Sequence, residues 1–521
     1  MLKGALGYRS CLVYKQLNTT RDKNDKPLKG KRVVFTALDL EQKEHRGIAT
    51  YSKAVIRNLK EAGAEVWLLT QFDVSKKKSG LNRLPMPTQE IIHSSKVLGS
   101  LTTGLEHSDT KWIEKRFAIA NKINRLWKLL IEVIDLIRRP RFYNSRQINH
   151  INLNKLFDNP NLRQERLSYL QNVEGLLCAR KIFHASQTAA LLNSPRPVTI
   201  DLKGFDAFIT SCPLNIKPIN ISKFIQSIHD VIALEYAPHN ENMLQFSHRL
   251  QACLNSRRVY VSESTAIKYK NNIQEDKYLK RQNGKNCRLE KIEKTIIQPP
   301  SLEFPNWLAS NPKIQNDMRP VSYLLSGEGK GKLKPYQYLL FNSSVEARKN
   351  LLFLVKAYAE SNLGQEGIKL CVTGKLKKDP FSKAVKEVVK QEPGIILTGY
   401  IDESTKLDLY LNAITLVSPS LVEGFGIPAL DAACLGMPAI VSSCDAHHEI
   451  KLIDDFKDYI IPINTLNTRE WAAAIQSISF LHAANKEAPE IERGRRIQRY
   501  IKKSSLLNKK FREDLIDLIE K

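Results

Sequence analysis

The sequence predicts an α/β protein built from two doubly wound domains that face a central cleft. Three observations lead there. Short apolar runs of strand length alternate with segments of helical period in both halves of the chain. At 521 residues the chain exceeds one ordinary core. Residues 301–335 carry Pro305, Pro312, Pro320, Pro335, Gly327, Gly329 and Gly331, the composition of an irregular linker between two such units.

Residues 1–30 read as a loose leader, with Arg21–Lys31 charged and turn-rich, and the apolar run of Met1–Tyr14 is too short and interrupted to make a good signal peptide. The first domain is placed at 31–300. Arg32–Leu40 reads as its first buried strand, a helix runs to about Ala62 where Gly63 caps it, and Val66–Thr70 is the second strand. Gly47 sits where a helix N-terminus could meet phosphate. Residues 74–200 read as a long insertion. Within it, Lys111–Arg141 repeats apolar residues at helical spacing, and Lys111–Arg146 holds ten Lys/Arg against three Asp/Glu. Such a helix can pack on a core with a solvated basic face, or lie on an anionic membrane surface. Phe205–Thr210, Lys223–Ile228, Arg258–Ser262 and Lys294–Gln298 read as further strands, with His229-Asp230 directly after the second of these.

The second domain is placed at 336–490. It opens on the strand Tyr338–Phe341, and Arg348 and Lys349 lie between that strand and a helix over Leu351–Glu360, the usual position for holding a phosphate. Ile395–Thr398 is a strand leading into Gly399-Tyr400. Residues 418–443 form the richest stretch. Ala413–Val417 precedes it as a short strand, Glu423-Gly424-Phe425-Gly426 is a tight loop, Pro428 suits the first turn of a helix, and Gly436 and Pro438 stop that helix before a strand at Ala439–Ser443. Free amides at such a helix start favour an anion. Glu423 and Asp431, with seven residues between them, can face one pocket and accept hydrogen bonds from sugar hydroxyls. His447, His448 and Glu449 could suggest a metal, but neighbouring side chains on a strand or turn diverge, which favours a structural loop. Arg493–Arg512 has nine basic and no acidic residues and reads as a basic terminal helix, set apart as 491–521.

The run Glu423-Gly424-Phe425-Gly426-Ile427-Pro428-Ala429-Leu430-Asp431-Ala432 closely resembles the E-x7-E signature of the retaining glycosyltransferases of family 4 (glycosyl transferases group 1), with Asp431 where that family usually has Glu. Asn342–Asn350 resembles the family's G-x-x-E-P-R-K-N loop, and His229-Asp230 its H-D motif. The resemblance implies the GT-B fold, with the terminal helix crossing back to the first domain. It implies retaining transfer of a hexose, of the mannosyltransferase type, from a nucleotide-diphosphate-sugar donor to a glycan or lipid-linked acceptor, as in cell-envelope polysaccharide synthesis. By the same resemblance His229, Glu423 and Lys349 are catalytic. Gly47, Arg348, Lys349, Gly399, Tyr400, Glu423, Gly424, Phe425, Gly426 and Asp431 hold the donor, Asp431 through the ribose. No metal and no separate cofactor are expected, because the cations and loop amides can meet the leaving charge. Two alternatives stay open: a GT-B epimerase or phosphorylase, or a basic non-enzymatic protein binding membrane or nucleic acid.

The net charge of +26 points to anionic partners or to solvated basic faces. Nucleic acid is not expected, and an anionic membrane surface met through 111–141 stays open as a partner, beside the favoured reading of a core-packed helix with a solvated basic face. No apolar run approaches eighteen residues, and the eight scattered cysteines form no C-x-x-C, so the expected place is the cytoplasm, or peripherally the inner face of the plasma membrane.

Overall fold

The structure, a computed structural model, describes residues 26–45, 47–76, 80–105, 142–153, 165–192, 197–236, 242–281, 289–304, 333–377, 379–484 and 489–521. The segment 111–141, for which a membrane contact stays open, Arg46, most of the leader and most of the linker lie outside these residues.

The first domain is an eight-stranded sheet: β1 (Arg32–Thr36), β2 (Glu65–Thr70), β3 (Asn149–Asn152), β4 (Gly175–Cys178), β5 (Ala207–Thr210), β6 (Lys223–Ile228), β7 (Arg257–Tyr260) and β8 (Glu293–Thr295). Its order is β8-β7-β6-β5-β1-β2-β4-β3. Every neighbouring pair is parallel except β3, which runs antiparallel to β4 on one edge. The strands are near-continuous apolar runs because helices cover both faces; Val33, Val34 and Phe35 are all fully buried. Phe142–Tyr143, Val198–Asp201 and Ile216–Ile219 form a separate parallel set.

The second domain has six parallel strands: β9 (Tyr338–Asn342), β10 (Lys369–Thr373), β11 (Ile395–Gly399), β12 (Thr415–Ser418), β13 (Ala439–Ser442) and β14 (Ile460–Ile463). Their order is β11-β10-β9-β12-β13-β14. In both sheets the chain winds outward in two directions from the first strand. The switch points are β1/β5 and β9/β12, where open α/β sheets bind ligands at the carboxyl ends of their strands.

Six helices position the site: α1 (Gly47–Glu61), α2 (Glu263–Asn272), α3 (Leu351–Glu360), α4 (Ile427–Leu435), α5 (Asp445–Lys451) and α6 (Pro489–Glu520). α6 crosses from the second domain back to α1. Asn508 accepts from Arg57 and Asn58 there, and Phe511 packs edge-on to Tyr51. The basic run of α6 is largely paired within the protein. Arg493 meets Asp408, Arg499 meets Asp455, Lys503 meets Asp454 and Asp455, and Arg512 meets Glu61.

Part of the stretch expected to be an insertion is structural fabric of the first domain. β4 pairs directly with β2, and β3 extends the sheet beyond it. The sequence hides this because β3 and β4 are only four residues each, Asn149–Asn152 and Gly175–Cys178, too short to show a period. Likewise β1 ends at Thr36 rather than Leu40, since the chain turns at 38–41.

Candidate functional site

The two switch points face each other, and the loops that follow their strands meet. After β9 the chain makes a short turn at Ala347–Lys349 and enters α3 through Asn350, held at φ 55°. After β12 comes the glycine loop. The Leu421 amide donates to the Arg348 carbonyl at 2.8 Å, tying the two loops together. Glu423 bonds Lys349 through its Oε1, and Arg348 Nη1 lies 3.7 Å from its Oε2. Arg348 also donates from Nε to Glu346 at 3.1 Å, and Lys377 meets Glu346 at 3.0 Å.

Lys349 and Glu423 are both buried. Burial alone would raise the Glu423 carboxyl, but Lys349 and then Arg348 hold it down to about 2. Burial pushes the Lys349 ammonium down, against the pull of Glu423. The two therefore stand as a charged pair in a site with little water, where electrostatic contacts are strong.

Gly426 has φ 94°, a left-handed value that favours glycine, and α4 begins directly after it with Pro428 in its first turn. Gly436, at φ 75°, ends α4 as the sequence indicates. A Cβ at Gly424 would lie 2.3 Å from the carbonyl oxygen of His229, so the loop reaches the first domain with no room for a side chain. Ser262 Oγ donates to the Gly424 carbonyl at 2.7 Å. The first turn of α1 arrives beside the same helix start, where a Cβ at Gly47 would lie 3.5 Å from Ile427 Cδ1.

His229 stands at the carboxyl end of β6. Its Nε2 lies 2.7 Å from the Ser211 carbonyl. A carbonyl only accepts, so Nε2 carries the proton. Burial lowers the imidazole pKa, leaving a neutral ring whose Nδ1 is an acceptor. Ser211 Oγ in turn donates to Asp39 at 2.5 Å, and Tyr51 packs edge-on to the ring at 4.7 Å.

The structure thus brings His229, Lys349, Arg348, Glu423, Gly424, Gly426 and Gly47 to one junction. Phe425 is buried in the core that runs between the domains. Gly399 ends β11 and Tyr400 follows it, two strands from β9 on the same edge and roughly 10 Å away by strand spacing. Tyr400 is 56% exposed.

Asp431 departs from expectation. It is fully buried, and its oxygens accept from the Ser301 amide at 2.6 Å, the Ser301 hydroxyl, and the Tyr500 hydroxyl at 3.2 Å. It anchors the start of the linker and α6, and a ribose could reach it only if Ser301 gave way. Being one methylene shorter than Glu, it stays among these donors. Burial raises its carboxyl to about 6.

Sequence reasoning missed Asp39, and it read His447 and Glu449 as part of a structural loop without their contacts. The His447-His448-Glu449 run lies on α5, not on a strand or turn, and its side chains go three ways. His447 is buried with its Nδ1 2.9 Å from the Ser442 carbonyl, and its ring lies against Gly426. His448 meets Ser443 at 2.6 Å. Glu449 crosses to the first domain and accepts from the Glu263 and Ser264 amides at 2.8 and 2.6 Å, the open N-terminus of α2. Among the described residues no group of three His, Cys, Asp or Glu is arranged to hold a metal, and no helix is long and apolar enough to cross a membrane.

Two doubly wound parallel domains joined across their carboxyl edges define the GT-B architecture. Residues 328–495, which contain the second sheet, match the family model described as glycosyl transferases group 1. A stretch of 73 residues is 36% identical to the O-antigen chain mannosyltransferase RfbU of Salmonella typhimurium. That stretch covers 14% of this chain and 19% of the relative, so the chain spans about a fifth of the curated relative it matches. Among solved structures, the chain is similar to sucrose-phosphate synthase from Thermosynechococcus elongatus, at 12% identity and TM-score 0.49, over 94% of this chain and 98% of that one. It is also similar to a mutant of TarM from S. aureus in complex with fondaparinux, alpha-GlcNAc-glycerol and UDP, at 12% identity and TM-score 0.49, over 94% and 100%.

Proposed function

We propose that the protein transfers a glycosyl group, a hexose, from a nucleotide-diphosphate-sugar donor to a hydroxyl of a glycan or lipid-linked acceptor, with retention of configuration. The observation that carries this is the meeting of Lys349, Arg348, Glu423 and the glycine loop at the second switch point, under His229 of the first domain. The match of residues 328–495 supports the same class, and the stretch shared with a mannosyltransferase supports hexosyl transfer.

In this reading the donor diphosphate lies against Lys349, Arg348 and the amides that open α4, which meet the charge that develops as the sugar leaves. Glu423 exchanges its bond with Lys349 for hydroxyls of the donor sugar. His229, neutral and with Nδ1 free to accept, takes a further sugar hydroxyl from the first domain. Glu423 and Glu346 are both engaged by cations, so neither is set as a covalent nucleophile. Front-face departure fits this better: the leaving phosphate accepts the acceptor's proton as the new glycosidic bond forms. Closure of the two domains on the donor would exclude water that otherwise hydrolyses it.

The test is a panel of nucleotide-diphosphate sugars, read by thermal shift and by donor hydrolysis. One donor should stabilise the wild type, and the stabilisation should vanish in Lys349→Ala. A panel in which no donor binds, or in which Lys349→Ala binds as well as wild type, overturns the reading.

A further inference from the structure

We propose that the first domain carries a separate anion site for the acceptor, and that the acceptor bears a phosphate group there. This deepens the glycosyl-transfer reading and rests on it. A cavity of about 540 Å³ opens beyond the carboxyl ends of β2 and β4, lined by Phe72, Val74, Val97, Lys96, Ser100 and Arg180, with Asp73 and Ser75. It has the size of a small-molecule site and lies on the same edge of the sheet as the cleft, where open α/β sheets take their ligands.

Its charge is organised. Asp73 is consumed by its neighbours: it accepts from His93 at 2.7 Å, from Asn149 at 3.0 Å, and from the Val74 amide at 2.9 Å. These bonds fix the loop after β2 to the helix Met86–Thr103 and to β3. Lys96 and Ser100, one turn apart on that helix, face the cavity beside buried Val97. Arg180 enters from the loop after β4. Lys96 and Arg180 are exposed, and neither has an ion-pair partner among the described residues. The Ser100 hydroxyl donates to the Lys96 carbonyl at 2.9 Å, so the anion's contacts fall to the two cations, which outnumber the one carboxylate of Asp73 over an apolar floor and suit a phosphate carried on a larger molecule.

The place fixes what that molecule must be. β2 lies three strands from β6, whose end carries His229, so the cavity is about 14 Å along the edge from the junction. The anion is therefore held apart from the hydroxyl that reacts, and its binding energy positions a remote part of the acceptor. A phosphorylated glycan and a phospholipid-borne glycan share this chemistry.

The experiment titrates the full-length protein by calorimetry with glycerol phosphate, and by flotation with phosphatidylcholine vesicles with and without phosphatidylglycerol. Wild type, K96E/R180E and K96R/R180K are each compared with and without Lys349→Ala. Binding should persist in Lys349→Ala, weaken at least about tenfold in K96E/R180E, and return in K96R/R180K. Response to glycerol phosphate assigns a soluble phosphate source, and response only to phosphatidylglycerol vesicles assigns a lipid. Unchanged binding in K96E/R180E overturns the proposal. So does loss of binding in Lys349→Ala, which would place the anion in the donor pocket, or wild-type protein that binds neither probe. Donor binding that survives Lys349→Ala would instead sink the glycosyl-transfer reading and leave this cavity's anion binding to stand by itself.

Discussion

Glu423 on the loop and Asp431 within the helix that follows belong to one motif and are both buried, yet they have opposite electrostatic fates. Glu423 faces Lys349 and Arg348 and is held down to about 2. Asp431 accepts from neutral donors, Ser301 and Tyr500, and is pushed up to about 6 by burial, which the charge of Lys406 and these bonds only partly offset. Burial acts alike on both, so the difference lies in the partners. The cleft carboxylate is kept charged, poised to accept hydroxyls. The one eight residues on is a structural acceptor that ties the domain crossing.

Breaking the cleft pair should have the largest effect. Glu423→Ala and Lys349→Ala are each expected to lower transfer on the order of a hundredfold or more, as removal of a charge-stabilising group does. Glu423→Ala leaves the buried Lys349 without its partner, at a cost of about 3–5 kcal/mol, and Lys349→Ala leaves Glu423 to Arg348 alone, so activity is to be measured beside a thermal melt showing the protein folded. The pH sign follows from Glu423. Its carboxyl is depressed in the fold, so its stabilisation is present above the ordinary value near 4.5 and is lost as pH falls from there toward 2. Wild-type turnover in either variant would remove the pair from the chemistry.

Next in size is Gly424→Ala. The added methyl would meet the His229 carbonyl oxygen, a backbone atom that cannot swing aside. Overpacking of this kind costs about 1–3 kcal/mol, and here it acts on closure. Small-angle scattering should show a more open particle and kcat should fall; an unchanged scattering curve would mean the loop yields instead.

Asp431→Asn sharpens the comparison from the other side. Asn can keep its oxygen on the Ser301 amide and the Tyr500 hydroxyl while its amide donates to Ser301 Oγ. An acid raised in the fold binds more protons folded than unfolded, so its contribution to stability is best at low pH and declines as pH rises from about 4 to 6. Removing the charge should recover up to roughly 3 kcal/mol at neutral pH and flatten the pH dependence of the melting temperature in that window. A variant less stable at pH 7, with a raised Michaelis constant for the donor, would show that Asp431 reaches the ribose after all.

The sequence carried the strands with long apolar runs, the glycine loop and the α4 stop, because each is a local choice of residue. Lys223–Ile228 and Leu351–Glu360 have the bounds their periodicity indicates. Local signals could not show what the second motif carboxylate would meet, since Ser301 and Tyr500 lie 130 and 69 residues from Asp431. Asp39 looks like an ordinary strand-end acid until Ser211, 172 residues on, donates to it. β3 and β4 escaped for a different reason: four residues are too few to carry a period, and only pairing with β2 makes them strands.

Glu449 supplies the smallest effect and the most specific. Its carboxylate caps α2 of the first domain from α5 of the second, accepting two amides that have no partner within their own helix. Burial raises its carboxyl, and the Ser264 and Glu263 amides oppose that rise. A cap of this kind is worth about 1 kcal/mol, and because it bridges domains that energy biases closure rather than the folding of either sheet. Glu449→Ala should therefore leave the melting temperature nearly unchanged while raising the donor's Michaelis constant about fivefold, and Glu449→Gln, whose single carbonyl oxygen can keep only one of the two amides, should recover only part of the loss. If Glu449→Ala lowered the melting temperature and left donor affinity as it was, the contact would be ordinary interface packing, and closure would rest on the other contacts across the cleft, such as Ser262 with Gly424 and Lys268 with Asp445.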